Sequence, residues 1–335
     1  MLTINTGCVK MPHRPFNEDD YRPQFSGHET FPLRYGWLKK AFDCVAETEG
    51  NPDNKSLCWG EDAIARFGVG KNMVASIRHW ATSCGIIEEC ERDASVKTTK
   101  FGQNIFGNNG IKGNDPYMEH PATLWLMHWQ LASKSKKTTW FWAFSYYPAI
   151  TFTRNLLVQK IERLVQDRGW PRVSNTTVKN DVACFIRTYA ARPASAKTGY
   201  DDALESPLTE LGIIKALDEK DGFRFVRGPK ISLGDGVFIY ALLDFWSHYP
   251  NANTLSFEAI TYEPGSPGRV FALEENDMVD RLTILEEKTD GGLRWSEAAG
   301  LKQVVRSIDI GAETKFPYIF SDYDRASVAG TTRQC

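Results

Sequence analysis

The chain has 335 residues, 42% hydrophobic and 24% charged, which suits two or three folded domains and excludes a disordered polypeptide. No apolar run is long enough to cross a bilayer, and Met1-Leu2-Thr3-Ile4-Asn5 lacks the basic start and apolar core of a signal peptide, so a cytoplasmic protein with no membrane partner is expected. A net charge of −2 gives no global pull toward nucleic acid, yet ten Lys/Arg stand against three Asp/Glu from Lys134 to Arg187, followed by acidic blocks at Asp201–Asp221 and Glu274–Asp290.

Residues 1–24, with Pro12, Pro15 and Pro23, read as an extended N-terminal arm. A winged helix-turn-helix is expected over 25–112. Its first helix spans Leu33 to Thr48, with Leu33, Trp37, Leu38, Ala41 and Val45 at helical spacing. A short helix, Glu61 to Phe67, then reaches a tight turn at Gly68-Val69-Gly70. The next helix, Lys71 to Ser83, turns Met73, Val74, Ile77, Trp80 and Ala81 inward. Its other face carries Lys71, Asn72, Ser76, Arg78, His79 and Thr82. Ile86-Ile87-Glu88 and Val96 to Phe101 form the wing, with Lys97 and Lys100 on it. A cationic, hydrogen-bonding helix face suits base edges in a groove, and wing lysines suit phosphates.

Residues 113–250 read as a helical middle domain. The helix Pro121–Ala132 is apolar nearly all round, and the Trp140–Tyr147 aromatics extend its core. A second helix-turn-helix-like unit follows. Its helices are Thr153–Arg168 and one capped by Ser174 that runs to Tyr189, with Lys179 outward as a further DNA contact. A third, winged-helix-like unit occupies 251–320: a short helix from Ser256, a turn at 265–268, a long acidic helix from Arg269 to Glu287, and a strand or wing from Leu293 to Val305. Residues 321–335 form a tail. The expected fold is thus mainly α with small β-wings, as tandem winged helix-turn-helix-like modules around a helical core. The seven cysteines include no Cys-x-x-Cys pair, so reduced, buried thiols are expected.

Several motifs resemble a known bacterial family. They are Phe25-Ser26-Gly27-His28-Glu29-Thr30-Phe31-Pro32-Leu33-Arg34-Tyr35-Gly36-Trp37-Leu38, Gly68-Val69-Gly70-Lys71-Asn72-Met73-Val74, and Pro121-Ala122-Thr123-Leu124-Trp125-Leu126. Weaker ones begin at Ser206 and Ser266. The sequence is similar to the SspB-like family, encoded beside sulfur-handling genes for DNA phosphorothioation, from about Phe25 to Val305. The resemblance implies the DNA-nicking component of the Ssp anti-phage system. It also implies partnership with a cysteine desulfurase, an ATPase and a sulfur-transfer protein. It carries no catalytic residue over.

Nicking requires phosphodiester hydrolysis, which calls for a divalent metal on clustered carboxylates or a nucleophile with an acid or base. Neither a familiar nuclease signature nor a phosphate-binding loop is present. Two candidate sites remain. In the first, His28 is a general base or metal ligand with Glu29 as its partner and Arg34 as a phosphate clamp; in the competing reading Glu29 or Thr30 caps the helix near Leu33 and His28 packs on the winged helix. In the second, Asp115, Glu119 and His120 hold Mg or Mn; the competing reading places acids at a helix N-terminus, where the helix dipole favours them. DNA nicking in phosphorothioate modification is therefore the expected function, on double-stranded DNA. A non-enzymatic DNA-binding regulator or assembly scaffold is the alternative.

Overall fold

The computed structural model describes residues 14–18, 20–51, 53–90, 95–108, 110–170, 173–190, 206–218, 221–298 and 300–331. One connectivity recurs along the chain: a helix, a short strand, further helices and a two-stranded return in which the last strand lies between the other two.

The first unit comprises α1 (Trp37–Thr48), α2 (Asn54–Trp59), α3 (Ala63–Phe67), α4 (Lys71–Ser83), β1 (Ile87–Glu89) and β2 (Val96–Thr98). β1 and β2 pair antiparallel, with Ile87 opposite Thr98. The place of a third strand is taken by one side chain. The buried Asn54 amide donates to the carbonyl of Val96 and accepts from its N–H at 3.2 Å, closing the outer edge of β2 as a strand backbone would. α1 starts at Trp37, later than expected, because Glu29, Thr30 and Gly36 are all left-handed. Gly68, at φ 65°, ends α3 and lets α4 begin at Lys71. Lys100 is not on the wing: the hydroxyl of Thr99 accepts from Gly102 N–H and makes Lys100 the first residue of α5 (Lys100–Phe106). A minimal hairpin, β3 (Gly107–Asn108) and β4 (Ile111–Lys112), follows.

The central helix α6 (Pro121–Ala132) is buried on almost every side. Its His128 is bonded at both ring nitrogens, to Tyr189 Oη at 2.8 Å and to the Val270 carbonyl at 2.7 Å, so it is a satisfied core residue. The second unit contains α7 (Thr138–Ser145), β5 (Thr151–Thr153), α8 (Arg154–Asp167), α9 (Asn175–Tyr189), β6 (Ile214–Ala216) and β7 (Gly222–Phe225), with strand order β5-β7-β6. The third contains α10 (Asp235–Trp246), β8 (Thr254–Ser256), α11 (Phe257–Tyr262), α12 (Pro267–Val270), α13 (Glu275–Thr283), α14 (Leu285–Lys288), β9 (Leu293–Ala298) and β10 (Leu301–Arg306), with order β8-β10-β9. In both, a strand runs straight into a helix through a hydroxyl cap: Thr153 accepts from Leu156 N–H and Ser256 from Ala259 N–H. The fold is mainly helical with small antiparallel sheets of two or three strands.

Four further expectations are corrected. Of the expected extended arm, residues 1–13 and 19 lie outside the described residues, and in the remainder Phe16 is buried among Tyr21, Phe141, Tyr146 and Trp170. The expected helix from Arg269 to Glu287 is three pieces: Ala272 takes a positive φ of 51°, and a Glu274–Asp277 capping box restarts the chain as α13. The expected tail overlaps α15 (Ala312–Thr331), whose buried Asp322 accepts from the N–H groups of Gly236 and Val237 and so caps α10. Cys44 and Cys58 are disulfide-bonded, since α1 and α2 bring their Cα atoms to 5.8 Å, while Cys84, Cys90 and Cys184 are free. Buried apolar residues from Phe25 to Ile319 form one continuous cluster.

Candidate nucleic-acid interface

The segment Gly27–Phe31 is clamped between two helices, α4 and α9. Thr30 N–H donates to Nδ1 of His28 at 3.0 Å, which puts the ring proton on Nε2; that nitrogen donates to Asp181 Oδ1 of α9 at 2.9 Å. Ser76 of α4 donates to the His28 carbonyl, Arg187 of α9 to the Thr30 carbonyl, and Trp80 and Cys184 both to the Phe31 carbonyl. These bonds hold Glu29 and Thr30 at φ 45° and 64°, a conformation that costs a residue with a Cβ about 1–2 kcal/mol. Gly27 is required for close approach: a Cβ there would lie 2.4 Å from His79 Nδ1.

This clasp changes the standing of the first candidate site. His28 is 2% exposed and both of its ring nitrogens are engaged, so neither is open to take a proton from a nucleophile. Its carboxylate partner is Asp181, not Glu29, which is exposed. Arg34 is buried with its guanidinium 5.4 Å from the centres of both the Phe31 and Trp37 rings, a packing role and not a phosphate clamp.

The outer face of α4 lines an open groove of about 860 Å³, whose opposite wall is the turn between α6 and α7, Ser133 to Lys137. Not every residue assigned to the reading face reaches it. Ser76 is buried under His28. His79 is bonded to Lys137 Nζ at 2.7 Å, and burial, then Lys137, then His28 lower its pKa to about 2, so it is neutral. Lys137 is itself buried against the Trp80 and Trp140 rings, and burial lowers its pKa. Arg78 lines the groove but binds Glu89 at 2.5 Å. Lys71 and Asn72 are exposed at the start of α4, and Lys179 is exposed on α9. Lys97 pairs with Glu88 at 3.0 Å across the wing, and Lys100 is exposed at the start of α5.

The second candidate site does not converge. Asp115 is buried; its carboxylate accepts from the N–H groups of Glu119 and His120 and from the Thr123 hydroxyl, all within 2.9 Å. His120 Nδ1 accepts from Ala122 N–H, so Asp115 and His120 both cap α6. Among the described residues no three His, Cys, Asp or Glu side chains gather as a metal would require, and these three do not fit Mg or Mn.

A family profile described as a protein of unknown function, DUF4007, matches residues 25–315. The chain belongs to this family. It is also similar to two solved structures, a magnesium ion-bound SspB crystal structure and an SspB crystal structure. Each has a TM-score of 0.78 and 29% identity, over 90% of this chain and 89% of that chain. The fold is therefore SspB-like. No curated protein matches the chain.

Sequence reasoning missed Asp181 as the partner of His28 and Ser133–Lys137 as the wall facing α4. Asp181 lies 153 positions from His28, beyond any spacing rule. The wall left a trace, because Lys134, Lys136 and Lys137 open the basic block counted from Lys134.

Proposed function

We propose that the chain binds duplex DNA and acts as the strand-nicking component of an SspB-type phosphorothioation system in bacterial anti-phage defence. The observation that carries this reading is the likeness to SspB over nine-tenths of both chains. Exposed Lys71, Asn72, Lys100 and Lys179 and the groove beside α4 supply hydrogen-bonding and cationic contacts for it. The partners proposed with it are those that the resemblance in sequence implies, a cysteine desulfurase, an ATPase and a sulfur-transfer protein. Mg is the metal to try first, because one of the two SspB structures is magnesium-bound.

A second reading, a DNA-binding regulator or assembly scaffold without enzymatic activity, is favoured by the engaged ring nitrogens of His28. Supercoiled plasmid incubated with the pure protein and Mg²⁺ or Mn²⁺ separates the two. Open circles are the expected product of the nicking component. Retained DNA binding with no nicking under either metal moves the assignment to the scaffold. Failure to bind DNA at all overturns both.

A further inference from the structure

We infer that the turn Ser133–Lys137 grips a backbone phosphate of a DNA strand lying along α4, with Lys136 as the counter-charge. The inference rests on the DNA-binding reading and assigns it a second wall.

The turn is held from several sides. Lys134 binds the buried carboxylate of Asp244, Lys137 binds His79 beneath the groove, and the carbonyl of Ser135 accepts from Tyr21 Oη at 2.8 Å. With two of its three lysines committed inward, the turn presents the third. Lys136 is exposed, lines the groove and has no acceptor among the described residues. Ser133 also lines the groove, but its hydroxyl oxygen is enclosed and offers no contact to a ligand there.

The dimensions favour a strand over a small anion. From Ala75 to Thr82 the α4 wall extends about 10 Å at the helical rise. Of the two carboxylates on the groove, Glu89 is held by Arg78 and Lys55, which leaves Glu29 to oppose an incoming phosphate.

The test is fluorescence anisotropy of a labelled duplex across a salt series. Lys136→Ala is expected to weaken binding about fivefold on any sequence and to make the log–log salt slope shallower by about one. Glu29→Gln removes a repulsion and is expected to tighten binding. Lys215→Ala, on β6 and outside the groove, should match the wild type. If Lys71→Ala weakens binding and Lys136→Ala does not, the second wall is overturned while the DNA reading stands. If the wild type binds no duplex, both fall. If inorganic phosphate raises the thermal midpoint of the wild type but not of Lys136→Ala, and duplex affinity is equal in the two, the site takes a free phosphate and the inference is overturned.

Discussion

Replacing His28 by Ala tests whether the most distinctive segment of the sequence is catalytic or structural. The substitution removes the Nε2–H donor from Asp181, which is fully buried and whose second oxygen already lacks a partner. It also strips the acceptor from Thr30 N–H, in a stretch whose left-handed backbone needs every restraint it has. A hydrogen bond to a charged group contributes about 1.5–3 kcal/mol, and a buried carboxylate left unpaired raises the total to about 3–5 kcal/mol. Asp181→Asn keeps an acceptor for Nε2–H and should cost less, about 1 kcal/mol. Urea unfolding followed by tryptophan fluorescence reads both, since Trp80 donates to the clamped segment and Trp140 lies 6.5 Å from the His28 ring centre. Nicking and DNA binding should then be compared per folded molecule, well below the unfolding midpoint, where the clasp predicts a modest change. A His28→Ala protein as stable as the wild type but devoid of nicking would refute the structural assignment and restore His28 as a catalytic residue.

Three other outcomes follow from the same packing. Asp322→Ala removes the carboxylate that caps α10 and should cost about 1–2 kcal/mol, with faster hydrogen exchange at Gly236 and Val237; unchanged exchange there would mean that α15 does not hold α10. Asn54→Ala leaves the N–H and carbonyl of Val96 unpaired in a buried site and should cost about 2–3 kcal/mol by denaturant unfolding, whereas a surface-like loss below about 0.5 kcal/mol would contradict its role as a surrogate strand. Acid should weaken the fold through its buried histidines. Burial is the first cause of the lowered pKa of His128, to about 4, opposed by its bond to Val270 and reinforced by Lys230. A depressed histidine stabilises the folded state fully above its unfolded value near 6.5 and loses that contribution as pH falls toward 4. His79, at about 2, extends the loss further down. The urea midpoint should therefore drop between pH 7.5 and pH 5, and a flat profile over that range would contradict neutral burial.

Local rules reached much of the secondary structure because the relevant physics is local. Gly68 closes one helix and α4 occupies Lys71–Ser83 as the apolar spacing requires. Ser174 caps α9 through Thr177 N–H. Misreadings occur where a distant partner overrides a local preference. The segment from Arg269 to Glu287 reads as one helix by composition, yet Ala272 takes a left-handed turn, and Leu273 beside it is buried in the common core. Thr99 could extend a strand as its β-branch prefers, but its hydroxyl caps α5 and carries Lys100 off the wing.

The site was less legible, for a related reason. Residue type and helical face identified α4, but a face is only a direction until its neighbour is known. Ser76 and His79 are polar residues that belong to the surface by type, yet Ser76 is interior beneath His28 and His79 is half-buried at the groove wall, held by Lys137. The same packing turned His28, whose chemistry invites a catalytic role, into the hydrogen-bonded pin between α4 and α9. Conversely, Lys134 and Lys137 look like interchangeable surface charge, yet both are anchored, and their anchoring is what fixes Lys136 at the groove. Charge count in the sequence therefore overstates the cations free to meet DNA, and the position of the few left unpaired decides where a strand can lie.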